Sequence, residues 1–252
     1  MKTESKVYES VSMFNGQVSQ NDGSKYLANN ILKGLNTMKL LLSDHDRKKL
    51  DGLVADLEKQ TKAQVVLAVV QRSDSYAELP WKAFALGASL AGLVVLILEL
   101  YFYGWDSRLT ALITVAGTLS GGAIFALLTV LFPGFARLFL SDVRAEVEVK
   151  QYAQSLFLSR ELYATRQRSG VLVLVSLFER KFFILPDKGL ADQLSRDAMQ
   201  NIVTAMAMSL KQNELRHAFE TGLDKLAHFL GPAAAMTSEN ELPDAIIEEE
   251  GV

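Results

Sequence analysis

Two long apolar runs constrain this chain more than any other feature. Ala83–Tyr103 is 21 residues long with one charge, Glu99, and Leu109–Phe132 is 24 residues long with none. At about 1.5 Å per helical residue, each can cross a hydrocarbon layer roughly 30 Å thick. Only Gly104, Trp105, Asp106, Ser107 and Arg108 lie between them. The pattern predicts a helical hairpin that enters a bilayer and returns, leaving the chain before and after it on one side. The competing reading is a buried hairpin of a soluble protein. It would ask residues 41–82 and 133–231 to cover two helices that are apolar all round, which one small domain cannot easily do.

Charge gives the orientation. Arg72 and Lys82 precede the runs and Arg137, Arg144 and Lys150 follow them, whereas the short connection carries only Arg108. By the positive-inside rule this places the soluble parts and both termini on the cytoplasmic face of the inner membrane. The polar stretch 1–30 lacks the apolar core of a signal peptide, so insertion falls to the hairpin itself. The chain has no cysteine, so no disulfide staples the fold and no thiolate can attack a substrate or hold a metal. The formal net charge is −3 over 252 residues. Glu239, Glu241, Asp244, Glu248, Glu249 and Glu250 crowd the C-terminal end without a Lys or Arg. No stretch is basic enough for a nucleic-acid surface.

The rest reads as one α/β domain in two pieces. An N-terminal arm covers 1–40, with a turn at Asn21-Asp22-Gly23-Ser24 and a short amphipathic helix over Ile31–Leu42. The first domain piece, 41–82, opens on a helix from Ser43 with Leu50, Leu53, Val54 and Leu57 on one stripe. Val65–Val70, apolar and rich in valine, is a strand buried on both faces. Trp81 and Lys82 suit a membrane interface. The hairpin takes 83–132. The second piece, 133–231, starts at the helix breaker Pro133-Gly134, and Phe135–Leu140 suits the headgroup region. Ser141 caps a helix expected to reach about Ala164. Val171–Leu177 and Phe182–Leu185 form a β-hairpin. Helices follow over about Leu194–Leu210 and Glu214–Leu230, stopped by Gly231-Pro232. The acidic tail, 232–252, is expected to lack structure outside Glu241–Ile247.

Residues 42–50 and Gln64–Val70 resemble the first half of a TPM domain. Thr165–Val175 resembles its second strand with the glycine that opens it, and Lys188-Gly189-Leu190 the Gly-Leu after its β-hairpin. Asn240–Asp244 is similar to the ending of bacterial TPM-domain membrane proteins, which also carry a two-span insertion after the first strand. The resemblance implies a small TPM-like αβα sandwich interrupted by a transmembrane hairpin. It also implies roles in maintaining or assembling membrane complexes, with acid phosphatase activity and Ca²⁺ binding in some members. Here Arg168 stands where other members carry an acidic residue, and Ser195-Arg196 where an aspartate is expected, unless a shift of one residue supplies Asp197. Both changes remove negative charge that a divalent cation would need, so Ca²⁺ is disfavoured and no cofactor is predicted.

The candidate site residues are few. Asp187, Asp192 and Asp197 follow the β-hairpin and are weak metal candidates, against the alternative of helix caps and solvated surface. Of the three histidines, His217 and His228 share a helix face about 16 Å apart, too far for one metal; His45 is remote in sequence. Glu99 is expected to reach toward the interface, the alternative being a bond to the other span. Gly117 and Gly121, with Gly87 and Ala91 opposite, have the small-residue spacing of close helix packing, with a homodimer as the sharper alternative. No nucleophile elbow, phosphate-cradling loop or zinc cluster is present. Two functions stay open. The first is a membrane-anchored, non-enzymatic domain that binds and maintains a membrane protein or complex. The second is a metal-assisted phosphatase at the membrane surface.

Overall fold

The computed structural model describes residues 42–61, 63–101, 107–211, 214–232 and 246–251. The expected arm, the helix over 31–41, the tip of the hairpin and the segment Asn240–Asp244 lie outside them. The chain divides into two units, Met1–His45 and Asp46–Val252. The second carries the sheet and both long apolar helices.

Helix α1 (Asp44–Gln60) buries Leu50, Val54 and Leu57 at helical spacing, while Leu53 of the expected stripe is exposed. Its buried Glu58 accepts the Val65 N–H at 2.8 Å, which sets the entry of β1 (Gln64–Arg72). Helices α2 (Glu78–Tyr101) and α3 (Ser107–Leu131) form the apolar hairpin. Ser107 and Arg108, expected in the connection, belong to α3. Pro133 starts the short α4 (Pro133–Ala136), which runs into a 3-10 turn at Arg137–Phe139. Ser141 caps α5 (Asp142–Ser159) by accepting the Arg144 N–H.

Helix α5 ends earlier than its sequence suggests. Glu161 turns left-handed at φ 52°. The Leu162 and Glu161 N–H groups reach back to the carbonyls of Phe157 and Leu158, both at 3.1 Å. This double bond pattern is a Schellman closure, made without the usual glycine and therefore hard to see in the sequence. It turns Leu162 into the core.

Strands β2 (Gly170–Ser176) and β3 (Lys181–Pro186) pair antiparallel, and β1 lies parallel to β2 with Val65 opposite Val171 and Val70 opposite Ser176. The two apolar strands are thus neighbours despite the hairpin between them. A 3-10 turn (Lys188–Leu190), α6 (Arg196–Lys211) and α7 (Leu215–Leu230) follow. The tail then departs from expectation. Ile247–Gly251 is a strand, β4, parallel to β1 along its other edge, so the sheet order is β3-β2-β1-β4. Three consecutive glutamates hide it from a search for apolar alternation.

Alternation along the strands separates two faces. Val66, Ala68, Val70, Leu172 and Leu174 pack under Val149, Ala153, Leu156 and Phe157 of α5, with Ile247 beside them. Val65, Leu67, Val69, Val171, Val173 and Val175 point the other way and are equally buried. On that side α6 packs on β3 and α7 on α6. Lys49–Glu220 at 2.8 Å and Arg216–Asp46 at 3.2 Å join α7 to α1. Helices on both faces of a mostly parallel sheet give a three-layer α/β arrangement.

Candidate functional site

In open α/β sheets ligands bind beyond the carboxyl ends of the strands. Here β1 and β2 end together at Arg72 and Ser176, and protein fills that edge. Glu179, 7 % exposed, accepts the Ser73 N–H at 2.9 Å and the Tyr76 hydroxyl at 2.7 Å. It also takes the Ser176 hydroxyl, while Ser73 and Ser176 are bonded to each other at 3.1 Å. Tyr76 holds a left-handed φ of 48°, a costly conformation for a residue with a Cβ. Its buried ring lies 5.6 Å from Phe178, whose own ring carries the Arg72 guanidinium at 4.2 Å. Burial first, and the Glu179 bond second, push the Tyr76 hydroxyl far above its ordinary pKa. It is a permanent donor. Glu179 thus gathers three donors, and the arrangement acts as a clamp. It ties the segment before the hairpin to the β2–β3 turn after it. The sequence offers little hint beyond a serine at the end of each apolar strand.

At the opposite end of β2 the structure separates the aspartates. Asp187 is buried; one oxygen accepts the Lys188 N–H at 2.7 Å. The other lies 2.9 Å from Nε of Arg168. It lacks a well-aligned donor, so this contact is chiefly coulombic. Gly189 locks the two loops together. A Cβ there would lie 2.2 Å from the Gln167 carbonyl, and the Gly189 N–H bonds the Arg168 carbonyl at 2.9 Å. Asp192 and Asp197 are both exposed, Asp197 in the first turn of α6. Among the described residues no three of His, Cys, Asp and Glu gather as a metal ion requires. These residues do not fit a divalent cation: the positive charge on Asp187 is the Arg168 side chain.

Each histidine of α7 meets a neighbour on its own helix. His217 lies 3.5 Å from Glu220, and His228 stacks edge-on against Phe229. Glu99 accepts the Thr114 hydroxyl of α3 at 3.1 Å, so it binds the partner helix instead of reaching outward. Gly87, Ala91 and Gly121 come together. A Cβ on Gly121 would sit 2.5 Å from that of Ala91, and one on Gly87 would sit 2.6 Å from the Gly121 carbonyl. Gly117 is looser, with Val95 3.5 Å from its would-be Cβ. A groove of about 380 Å³ crosses the β3 edge, lined by Val149, Lys150, Lys181, Phe183, Arg196 and Met199.

Comparison with known proteins bears on this architecture. Residues 138–229 match the model of the TPM domain, a segment that starts after the apolar hairpin and leaves α1 and β1 outside it. No curated protein matches the chain. Among solved structures, the NMR structure of the BA42 protein from the psychrophilic bacteria Bizionia argentinensis is similar. It is 16 % identical, covers 84 % of this chain and 97 % of its own, and gives a TM-score of 0.51. At that identity the likeness is one of fold.

Proposed function

We propose that this chain is a TPM-domain protein tethered to a membrane by the α2–α3 hairpin, with its α/β body and both termini on the cytoplasmic side. There it binds a membrane protein or complex and helps to maintain or assemble it, without turning over a substrate. One observation carries the reading: the two apolar helices are covered by almost nothing. Only 11 % and 6 % of their most apolar stretches are buried. Leu93, Val94, Leu96, Leu100, Leu112 and Val130 stand in the open. In water such a surface would be far larger than a monomer tolerates; in lipid it needs no cover. The Glu179 clamp and the Arg168–Asp187 pair support a binding role over hydrolysis.

The full chain, purified in detergent, should leave a generic phosphomonoester untouched with or without Ca²⁺ or Mg²⁺. In membranes it should retain a membrane protein that the hairpin alone does not. Metal-dependent turnover lost in Asp187→Ala would overturn the non-enzymatic reading.

A further inference from the structure

Three cations with no acidic partner among the described residues stand on segments around the base of the hairpin. Lys82 lies just past the first turn of α2, Arg137 in the 3-10 turn after α4, and Arg180 in the β2–β3 turn. Lys82 Nζ and Arg137 Nε reach only the carbonyls of Phe139 and Pro133, each at 3.4 Å. Nearby acids are engaged elsewhere: Asp74, Glu78 and Glu148 face Arg144, and Asp142 faces Lys181. Burial, and then repulsion from Arg180, lower the Arg137 guanidinium below its ordinary pKa. Large apolar side chains stand out beside them: Trp81 is 73 %, Leu138 76 % and Val143 75 % exposed. The Phe135 ring packs edge-on against Phe125 of α3 at 5.8 Å and against Phe139 at 5.4 Å. This collar is therefore fixed to the root of the hairpin.

We propose that the collar is a binding surface for anionic phospholipid. Trp81, Leu138 and Val143 enter the boundary between headgroups and acyl chains, and Lys82, Arg137 and Arg180 hold lipid phosphates. The inference rests on the reading that α2 and α3 span the bilayer. An amphipathic ring of aromatic, aliphatic and cationic groups is the composition of that boundary. A planar guanidinium takes a phosphate in two hydrogen bonds, and basic residues beside a span favour anionic leaflets. The same anion would relieve the Arg137–Arg180 repulsion. A soluble acidic partner would satisfy the cations but leave Leu138 and Val143 in water.

The test uses the full chain in nanodiscs of phosphatidylcholine alone and of phosphatidylcholine mixed with phosphatidylglycerol. The protein should melt several degrees higher in the anionic discs. Arg137→Gln with Arg180→Gln should melt like the parent in phosphatidylcholine and lose the gain. Arg137→Lys with Arg180→Lys should keep much of it, and Lys225→Gln, on the exposed side of α7, all of it. In a Trp105→Phe background, Trp81 emission should be quenched by lipid brominated just below the headgroup. Equal melting in both discs, or a gain that survives the double glutamine variant, overturns the lipid surface. Release of the protein by alkaline extraction overturns the spanning reading instead, so the two failures are told apart.

Discussion

Glu179 takes three donors from two stretches of chain that the hairpin separates. Glu179→Ala would leave the Ser73 N–H and the Tyr76 hydroxyl without their acceptor in a buried place, and the Ser176 hydroxyl with Ser73 alone. Each such group costs about 1–3 kcal/mol, so denaturant unfolding of the variant should show a loss of about 3–5 kcal/mol after partial relaxation. Tyr76→Phe removes one donor and should cost about 1–2 kcal/mol. A Glu179→Ala protein of unchanged stability would contradict the clamp. At the other end of β2, Arg168 occupies the charge position against Asp187. A true Ca²⁺ site at a hundredfold excess of ligand would stabilise by about 2.7 kcal/mol. Calcium should therefore leave the melting temperature unchanged; a rise of several degrees that Asp187→Ala abolishes would refute this. Arg168 was legible in the sequence as a positive charge just before β2, whereas its pairing with Asp187 across the two loops was not. Nor was the Glu179 clamp, since Glu179 reads there as one residue of a polar turn. Its partners become neighbours only once β1 and β2 pair.

At the scale of elements, the apolar strands and the hairpin announced themselves through long runs of one character. The element boundaries that slipped did so for local reasons. Helix α5 closes on a left-handed glutamate instead of a glycine, and β4 carries its pairing in the backbone while its side chains make ion pairs. Glu248 meets Arg47 at 2.6 Å, and Glu249 meets Arg160 at 2.9 Å and the Tyr152 hydroxyl. The Tyr152 hydroxyl, buried and bonded to Glu249, is held well above its ordinary pKa and so stays a donor. Burial would raise the Glu249 pKa, but Tyr152 and Arg160 outweigh it and the net shift is downward. Its contribution is therefore present at neutral pH and lost as the pH falls through that lowered value. Glu248 runs the other way. Burial raises its pKa against the pull of Arg47, so what it contributes is lost as the pH rises through the raised value. Arg160→Gln should bring the Glu249 step up toward the ordinary carboxylate range. Amide exchange in β4 and along its pairing segment Ala68–Val70 should then quicken at a higher pH than in the parent. An exchange profile unmoved by Arg160→Gln would show that the strand is held by its backbone alone.

For the whole molecule, the sheet is assembled from both sides of the hairpin. β1 supplies the central partner of both β2 and β4, and Glu58 of α1 sets the entry of β1. Residues 133–252 expressed alone lack both, and the loss exceeds the roughly 5–15 kcal/mol that holds a domain together. That fragment should be insoluble or molten and should recover on addition of residues 1–82. Replacement of α2 and α3 by a short flexible linker should give a soluble, cooperatively melting protein. A fragment 133–252 that folds cooperatively by itself would contradict this. The central claim, that the hairpin crosses a bilayer and leaves the body on the cytoplasmic face, is best tested with the chain's own lack of cysteine. Single cysteines placed by Asp106→Cys and Val252→Cys are labelled in intact cells with a membrane-impermeant maleimide. The account predicts labelling at position 106, and labelling at position 252 only after lysis. Labelling at 252 in intact cells, or at neither position until lysis, would contradict it.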